Sequence, residues 1–323
     1  MINTKEFILS EQLLTHLKNV PYDVTRHQLY GGLELYGGFQ PDLPGSFLSC
    51  YDSQVYQHYL KTGKRALQLE ESLARTLHDH GMHTALDRFF DTHLPRLCIG
   101  IMGGHSMLRT DKAFRQIAQI SKRLTEMGFF MLSGGGPGAM EATHLGAWLA
   151  GYDDKDLDDA IKMLACSPSF KDAGWLETAF RVITSYSQTQ YVSLGVPTWL
   201  YGHEPSTPFA THIAKFFENS IREDSILTLA YGGIIYTPGS AGTLQEIFQD
   251  AVQNHYLSFG FSSPMVFMGE KYWTEEVPVY PFLKRMMATG RYKNLILSLS
   301  DDNDEIISEI VKFRDQNPDL KVG

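Results

Sequence analysis

The sequence predicts a doubly wound α/β fold, a parallel β-sheet covered by helices on both faces, preceded by a mostly helical N-terminal module. Three observations predict it. From residue 96 onward, short and almost wholly apolar runs alternate with segments of helical apolar spacing, as in parallel strands buried on both faces. Glycine-rich turns follow several of these runs. Residues 1–95 lack this alternation, so we place the boundary between a helical module and the α/β domain there, with residues 96–323 forming the latter.

The N-terminal module shows helical periodicity in two places. Apolar spacing predicts a helix over Glu6–Leu17 and two or more amphipathic helices between Tyr51 and Phe90. Between them, the stretch YGGLELYGGFQPDLPG is rich in glycine and proline and predicts an ordered loop or a short hairpin. The core candidates of the second helical region are Leu67, Leu69, Leu73, Leu77, Leu86 and Phe89.

Seven apolar runs predict the strands of the α/β domain, with helical patterns between most of them. The predicted strands are Leu97–Met102, Phe129–Leu132, Ile161–Cys166, Pro197–Tyr201, Ile234–Tyr236, Pro264–Met268 and Leu295–Leu299. The predicted helices include Asp111–Met127, Ala139–Leu149 and Thr211–Asn219. In such a sheet the ligand is expected at the carboxyl ends of the strands.

Composition limits the class of protein. The 323 residues are 43% hydrophobic, which is enough for a sizeable core, and the formal charge of -9 argues against a general nucleic-acid binder. A local site can still attract a small anion. Cys50, Cys98 and Cys166 are too few and too far apart for a disulfide framework or a metal knuckle. The sequence shows neither a leader pattern nor an apolar run of transmembrane length, so we expect a cytoplasmic protein without a membrane partner.

Two possible metal sites are rejected. The acidic stretch Gly151–Ala160 fails as a calcium loop, because Asp159 stands where the loop needs glycine and Ala165 where it needs glutamate. We interpret it as a solvated connector. Four histidines invite a second metal interpretation, but their spacing favours a solvated helix end. They are His78, His80, His83 and His93.

Three predicted strands end in unusual turns. Gly103–Met107 reads GGHSM, Ser133–Glu141 reads SGGGPGAME, and Thr237–Glu246 reads TPGSAGTLQE. A helical pattern follows each, so free backbone amides and the positive end of a helix dipole would face a ligand there, as in phosphate sites. Hydroxyl donors would come from Ser133, Ser240 and Thr243.

A dinucleotide site and a P-loop are both excluded. The residues from Gly134 to Ala139 satisfy G-x-G-x-x-A, but no acidic residue closes the next predicted strand, Ile161–Cys166. No Gly-Lys-Ser/Thr follows any of the glycine turns. The site is therefore sized for a mononucleotide or a sugar phosphate.

The paired motifs GGGPGAMEA and PGSAGTLQE resemble those of the Lonely Guy family, whose pattern is GGGxxG followed by PGGxGTxxE. The resemblance covers roughly Leu97 to Met268, and the turn GGHSM looks closest to the bacterial branch that cleaves purine and pyrimidine nucleoside 5′-monophosphates. Two departures stand out. Ser240 replaces the second glycine of the motif, and the family's Arg-Lys pair reads Arg222-Glu223.

The resemblance implies a Rossmann-like phosphoribohydrolase that releases free base and ribose 5-phosphate from a nucleoside monophosphate, works without a cofactor and forms a homodimer or larger homo-oligomer. It implies Glu246 as the catalytic carboxylate and Arg222 as its partner, which would clamp phosphate or ribose oxygens. The implied substrate and phosphate contacts are Gly103, Gly104, His105, Ser133, Gly134, Gly135, Gly136, Gly138, Glu141, Pro238, Gly239, Ser240, Ala241, Gly242 and Thr243.

Structural alternatives remain open for each key residue. Thr243 and Glu246 have the spacing of a capping box. Arg222 could form a surface ion pair with Glu218 or Glu223, and Glu141 could simply compensate a helix dipole. A non-catalytic nucleotide-binding or cofactor-carrier protein on the same scaffold is the alternative function. The family's older label, possible lysine decarboxylase, has no support, because the chain contains no His-Lys pair for a Schiff base.

Overall fold

The computed structural model describes residues 11–43 and 45–320, and its centre is a seven-stranded sheet. The strand order is β4-β3-β2-β1-β5-β6-β7, and every neighbouring pair is parallel. The strands are β1 (Cys98–Met102), β2 (Phe130–Ser133), β3 (Ser193–Gly195), β4 (His212–Ile213), β5 (Ile234–Tyr236), β6 (Pro264–Met268) and β7 (Ile296–Ser300).

Helices pack on both faces of this sheet. Alternate residues of β1 enter different cores, with Cys98 and Met102 on one face and Ile99 and Ile101 on the other. The doubly wound α/β fold is therefore confirmed. The helices are α1 (Glu11–Asn19), α2 (Gly32–Leu35), α3 (Tyr51–Lys61), α4 (Leu69–Phe90), α5 (Lys112–Glu126), α6 (Ala139–Trp148), α7 (Asp154–Leu164), α8 (Trp175–Ser185), α9 (Asn219–Leu229), α10 (Ala241–Tyr256), α11 (Val279–Ala288) and α12 (Asn303–Gln316).

The strand order reverses between β1 and β5. Connections from β1 lead outward to β2, β3 and β4, whereas β5 leads to β6 and β7 on the other side. At such a switch point the loops diverge and leave a crevice beyond the carboxyl ends of the two strands. The loops that begin at Gly103 and Thr237 flank this crevice.

Two predicted strands and one predicted helix are wrong. The run Ile161–Cys166 lies in α7 and the turn after it, where Leu157, Ala160 and Leu164 are buried at helical spacing. The amide of Asp153 donates to the Asp156 carboxylate at 3.2 Å at the start of this helix, and most of the acidic connector is helical. The other two errors lie at the sheet edge: Pro197–Tyr201 follows β3 and ends in a short 3-10 helix, and Thr211–Asn219 contains β4.

The N-terminal module packs against the edge of the sheet. Tyr30 and Ile213 exchange two backbone hydrogen bonds, 2.8 and 2.7 Å long, which extend the sheet beyond β4. Buried Lys215 pairs with Asp52 of α3 at 2.5 Å. The first five residues of the predicted helix Glu6–Leu17 lie outside the described residues, and α1 covers the remainder. The glycine-rich stretch that follows contains α2 rather than a hairpin.

Helix α4 buries a different face from the one predicted. Leu86 and Phe89 are buried as expected, but the other four leucine candidates are exposed. Its inner face carries polar side chains instead. His78 is fully buried, with Nε2 2.8 Å from the Tyr30 hydroxyl and Nδ1 3.1 Å from Asp79, so the prediction of a solvated histidine cluster is wrong for this residue. The exposed leucines are Leu67, Leu69, Leu73 and Leu77.

Over residues 11–43 and 45–320, no helix combines the length and the apolar character that a bilayer crossing needs.

Candidate functional site

Three glycine loops meet at the switch point and are held together by backbone hydrogen bonds. The amide of Thr237 donates to Met102 at 2.8 Å, and the amide of Gly104 donates to Pro238 at 3.1 Å. The carbonyl of Gly104 accepts from Ala139, the first residue of α6, at 3.2 Å. The loops after β1, β2 and β5 therefore form one rigid wall.

A cavity of about 370 Å³ opens beside this wall, within the range of small-molecule sites. It lies between the loops after β1 and β5, helices α9 and α10, and the segment around residue 201. Its lining residues are Gly103, Gly104, His105, Met140, Tyr201, Glu204, Arg222, Glu223, Ser240, Ala241, Gly242, Thr243, Gln245, Glu246 and Gln249.

Both predicted catalytic residues and two of the three predicted glycine loops line this cavity. The loop after β2 lies behind it: a Cβ added to Gly134 would come 2.3 Å from Nη2 of Arg222, so this glycine makes room for the arginine. Gly136 packs against Met140 in the same way. The predicted contacts that do not line the cavity are Ser133, Gly134, Gly135, Gly136, Gly138, Glu141, Pro238 and Gly239.

The first turn of α10 presents its amides to the cavity. The helix begins at Ala241, and the amides of a first turn have no partner within their own helix. Ala241 and Gly242 are exposed there, and no side chain caps this end. Thr243 lies inside the helix rather than at its cap position, so the capping-box alternative for Thr243 and Glu246 is wrong. An anion fits this end of the cavity.

Glu246 has an unusual carboxyl group. Burial raises its pKa to about 7, the Arg222 cation opposes this rise, and the negative charge of Glu223 adds to it. The side chain is half-buried and reaches solvent only partly, through the cavity. A carboxyl that titrates near neutral pH inside a cleft is well suited to proton transfer.

Arg222 is fixed by the backbone. Its Nε donates to the carbonyl of Val196 at 2.7 Å, in the segment that follows β3. Glu223 accepts from Asn219 and Gln245 at 2.6 and 2.7 Å. Glu218 accepts from the Ser220 hydroxyl at 3.1 Å. The predicted alternative, a surface ion pair of Arg222 with Glu218 or Glu223, is therefore not found.

Glu141 does not fit the predicted contact with ribose hydroxyls. It is fully buried, and its two carboxylate oxygens accept from Nε and Nη2 of Arg109 at 2.9 and 2.5 Å. The same guanidinium donates to Thr178 at 2.7 Å and lies 4.7 Å from the ring centroid of Trp175. Through these contacts Arg109 links the loop after β1 to α6 and α8. Because Arg109 belongs to no motif, the sequence did not predict this role.

Ser133 is also structural. Its hydroxyl lies 2.8 Å from Nε2 of His144 and accepts from the amide of Gly135 at 3.1 Å. The other ring nitrogen of His144 lies 2.8 Å from the Ser193 hydroxyl. Burial lowers the pKa of His144 to about 3, so the ring stays neutral and acts as a hydrogen-bonding link between β2 and β3. The predicted role of Ser133 as a phosphate donor is wrong.

Sequence reasoning missed one end of the cavity. Tyr201 is the last residue of the 3-10 helix Trp199–Tyr201, and Glu204 lies in the irregular segment after it. Neither residue belongs to a recognisable motif. The Glu204 carboxylate lies 3.6 Å from His105 and 3.7 Å from His203. Gln245 and Gln249 could have been found, because they lie on the α10 face next to Glu246.

No group of three or more histidine, cysteine, aspartate or glutamate residues is arranged to hold a metal ion anywhere in residues 11–43 and 45–320. The residues that line the cavity supply backbone amides, a guanidinium, an imidazole, hydroxyls, carboxylates and side-chain amides. This set is suited to a phosphorylated and hydroxylated organic molecule.

Adding one methyl group to the loop after β2 is expected to lower the stability of the protein strongly. Gly138 has a φ of 69°, and an added Cβ would lie 2.4 Å from the carbonyl oxygen of Gly104. Strain and overlap with backbone are together expected to destabilise Gly138→Ala by about 3 kcal/mol in urea unfolding. Gly242→Ala is the control, since nothing lies within 4 Å of its added Cβ. Equal stability of the two variants would show that the wall is not rigid.

Comparison with known proteins identifies no family. No protein-family model and no curated protein matches the chain. Among solved structures, the chain is similar to the molybdenum cofactor binding protein from the phototrophic bacterium Rippkaea orientalis, with 14% identity and a TM-score of 0.38. The match covers 66% of this chain and 96% of that one. A similarity this distant carries no inference about what this chain binds.

Proposed function

We propose that the chain is a phosphoribohydrolase that hydrolyses the N-glycosidic bond of a nucleoside 5′-monophosphate. The observation that carries the proposal is the placement of Glu246 and Arg222 in one cavity with the first turn of α10. The carboxyl, whose pKa is raised to about 7, lies about one and a half turns into the helix whose end can hold the phosphate. A protein that only carried a nucleotide would have no need of a carboxyl tuned in this way.

The substrate is placed by matching its groups to the cavity. The 5′-phosphate accepts from the amides of Ala241 and Gly242 and from donors of the adjoining turn. The ribose lies against Glu246, with the Arg222 fork on ribose or phosphate oxygens. The base then extends toward Tyr201, where an aromatic ring can stack on it.

Cleavage of the ribosyl C–N bond develops positive charge on the sugar ring. The Glu246 carboxylate stabilises this charge and takes a proton from the attacking water, whose oxygen forms the new bond to C1′. The electron pair of the broken bond leaves with the base, which takes up one proton from solvent, and Glu246 releases to solvent the proton that it took from water. Arg222 cannot protonate the base, because a guanidinium does not lose a proton at neutral pH.

The experiment that tests the proposal incubates the protein with AMP, GMP, IMP, CMP and UMP and follows free base by chromatography. We expect base release from at least one nucleotide and much slower release from the matching nucleoside, which lacks the phosphate. Nucleotide binding without any base release would replace the proposal with a binding or carrier function. Equal rates for nucleosides would refute the phosphate role of the α10 amides.

The pH dependence of kcat/KM follows from the same carboxyl. Since the ionised form of Glu246 is the active one, kcat/KM is expected to rise about tenfold per pH unit toward pH 7 and then level off. Glu223→Gln removes a negative charge that raises the Glu246 pKa, so the rise should move to lower pH. The substrate phosphate titrates near pH 6 as well. If Glu223→Gln does not change the pH at which kcat/KM rises, the rise reflects titration of the substrate phosphate and not of Glu246.

A further inference from the structure

The carboxylate of Glu204 lines the cavity without a hydrogen-bond donor. Ring nitrogens of His105 and His203 lie 3.6 and 3.7 Å from the same oxygen, Oε1, and both distances are too long for a hydrogen bond. Among the residues that the structure describes, none donates to either oxygen. The side chain is 16% exposed, so a ligand can reach it although most of its water is displaced. Such a carboxylate is costly unless a donor replaces that water.

The other two carboxylates of the cavity are placed differently. Glu223 accepts hydrogen bonds on both of its oxygens. Glu246 interacts with the Arg222 cation and is assigned to the ribose and the attacking water. Glu204 is therefore the acid of the described lining that neither has a donor nor takes part in the proposed hydrolysis.

The backbone around Glu204 is fixed. Its amide donates to the carbonyl of Tyr201 at 2.7 Å and closes a turn after the 3-10 helix. Within this turn Gly202 packs on Tyr56, because an added Cβ would come 2.3 Å from the ring. Three residues further on, the amide of Thr207 donates to the loop after β2 at 2.8 Å. The carboxylate is thus presented to the cavity from a rigid segment, as a selective contact requires.

The charge of Glu204 determines which part of a nucleotide this end of the cavity can hold. A carboxylate only accepts hydrogen bonds, so it repels a phosphate and favours N–H donors. With the phosphate on the α10 amides, the base is the part that extends toward Tyr201 and Glu204.

The nucleobases differ in the donors that they offer to a carboxylate. Guanine presents two adjacent donors, the ring N1–H and the 2-amino group, which match two carboxylate oxygens. Adenine and cytosine place a ring-nitrogen lone pair beside their amino group, and this lone pair would face the second oxygen. Hypoxanthine and uracil offer a single N–H. Guanine is therefore the base that satisfies both oxygens of a carboxylate.

We propose that Glu204 selects the base of the substrate and favours guanine. The inference rests on the proposed function for the position of the nucleotide and adds the identity of the base. Both oxygens of Glu204 accept from guanine, one from N1–H and the other from the 2-amino group. These hydrogen bonds are charge-assisted and largely shielded from water, so a base that lacks one donor is discriminated against.

The test compares GMP with IMP, which differ only in the 2-amino group. Both are titrated calorimetrically at pH 7 into Glu246→Gln, which is expected to bind nucleotide without turnover. GMP is expected to bind at least about tenfold more tightly than IMP. Adding Glu204→Gln should reduce this ratio to about twofold or less, because the amide opposes one guanine donor with its own N–H groups. Equal affinities before that substitution, or an unchanged ratio after it, would overturn the proposal.

Glu223→Gln, also combined with Glu246→Gln, is the matched control. It removes a carboxylate of the same cavity whose oxygens already have donors, so the ratio should stay within about twofold of its starting value. Retained IMP binding shows that the Glu204→Gln site is folded. Equal weakening of GMP and IMP by Glu204→Gln would assign the carboxylate to the ribose hydroxyls and overturn the proposal.

Affinity separates this proposal from the proposed hydrolysis. Absence of base release by the parent protein, with GMP still preferred through Glu204, would refute only the hydrolysis. Base release without a preference for GMP would refute only the role of Glu204. Absence of GMP binding would refute both.

Discussion

Glu246→Gln is expected to lower kcat for base release by about 10²–10⁴-fold while changing nucleotide affinity little. Glutamine has nearly the same size and keeps one oxygen, but it can neither carry the negative charge that stabilises the sugar cation nor accept a proton from water. The measurement is single-turnover base release, with nucleotide affinity determined by calorimetry. A variant that keeps full kcat would show that base release does not depend on this carboxylate.

Asp250→Asn is the matched control for that variant. Asp250 lies one turn further along α10, burial raises its pKa to about 7 as well, and its carboxylate accepts from the Tyr236 hydroxyl at 2.7 Å. It does not line the cavity. Its substitution should therefore leave kcat within a few-fold of the parent once folded protein is compared. An equal loss in both variants would indicate a structural effect of changing α10.

The stability of Glu246→Gln provides a second control, with a defined sign. A carboxyl whose folded pKa is raised holds its proton in the native state after the unfolded chain has released it. Its contribution to stability is fully present below about pH 4.5 and is lost as the pH rises through 7. At pH 8 the neutral glutamine is therefore expected to fold at least as stably as the parent. An inactive but unstable variant would not test the catalytic role.

Structural features that depend on neighbouring residues were predicted best from the sequence. The bounds of the strands that end in the glycine turns were close to correct, because a buried run followed by glycines depends on neighbouring residues only. The run Ile161–Cys166 misled, since a short apolar stretch fits a strand or the buried side of an amphipathic helix equally well. Here the Asp156 carboxylate, which accepts from the Asp153 amide, lies at the start of the helix that contains most of the run.

Contacts between side chains that lie far apart in the chain could not be predicted from the sequence. From the sequence, Glu141 was predicted to contact a ligand. In the structure both of its carboxylate oxygens accept from Arg109, which lies 32 residues away in the chain. Likewise, spacing placed Glu246 in a helix, but only the packing of α9 and α10 around it explains a pKa near 7. Such effects depend on which residues the fold brings together, and a single sequence does not record this.

Another long-range pairing concerns the helix that carries Arg222. The Asp79 carboxylate of α4 accepts from the amide of Phe217 at 3.0 Å and from that of Glu218 at 2.8 Å, just before α9 begins. Asp79 is buried, and His78 beside it links it to Tyr30. A side chain of the N-terminal module thus caps a helix of the α/β domain.

Asp79→Ala is expected to lower the free energy of unfolding by about 3 kcal/mol, because it leaves two amides without an acceptor and removes a charge-assisted cap. Below its melting temperature, the folded variant should still bind nucleotide but hydrolyse it more slowly. The start of α9 would no longer hold Arg222 over the cavity, and small displacements of a positioning group are costly. Urea unfolding and kcat measured on the same preparation check both expectations.

Asp79→Asn and Asp87→Ala separate positioning from general damage to α4. Asparagine retains one acceptor oxygen and should fall between the parent and Asp79→Ala in both stability and kcat. Asp87 is exposed on the same helix, so its loss should change stability by less than about 0.5 kcal/mol and leave kcat unaltered. If Asp79→Ala folds and keeps the parent kcat, then α9 is held by its other contacts. If kcat falls from the parent to Asp79→Asn and further to Asp79→Ala, the N-terminal module supports the site through the Asp79 carboxylate.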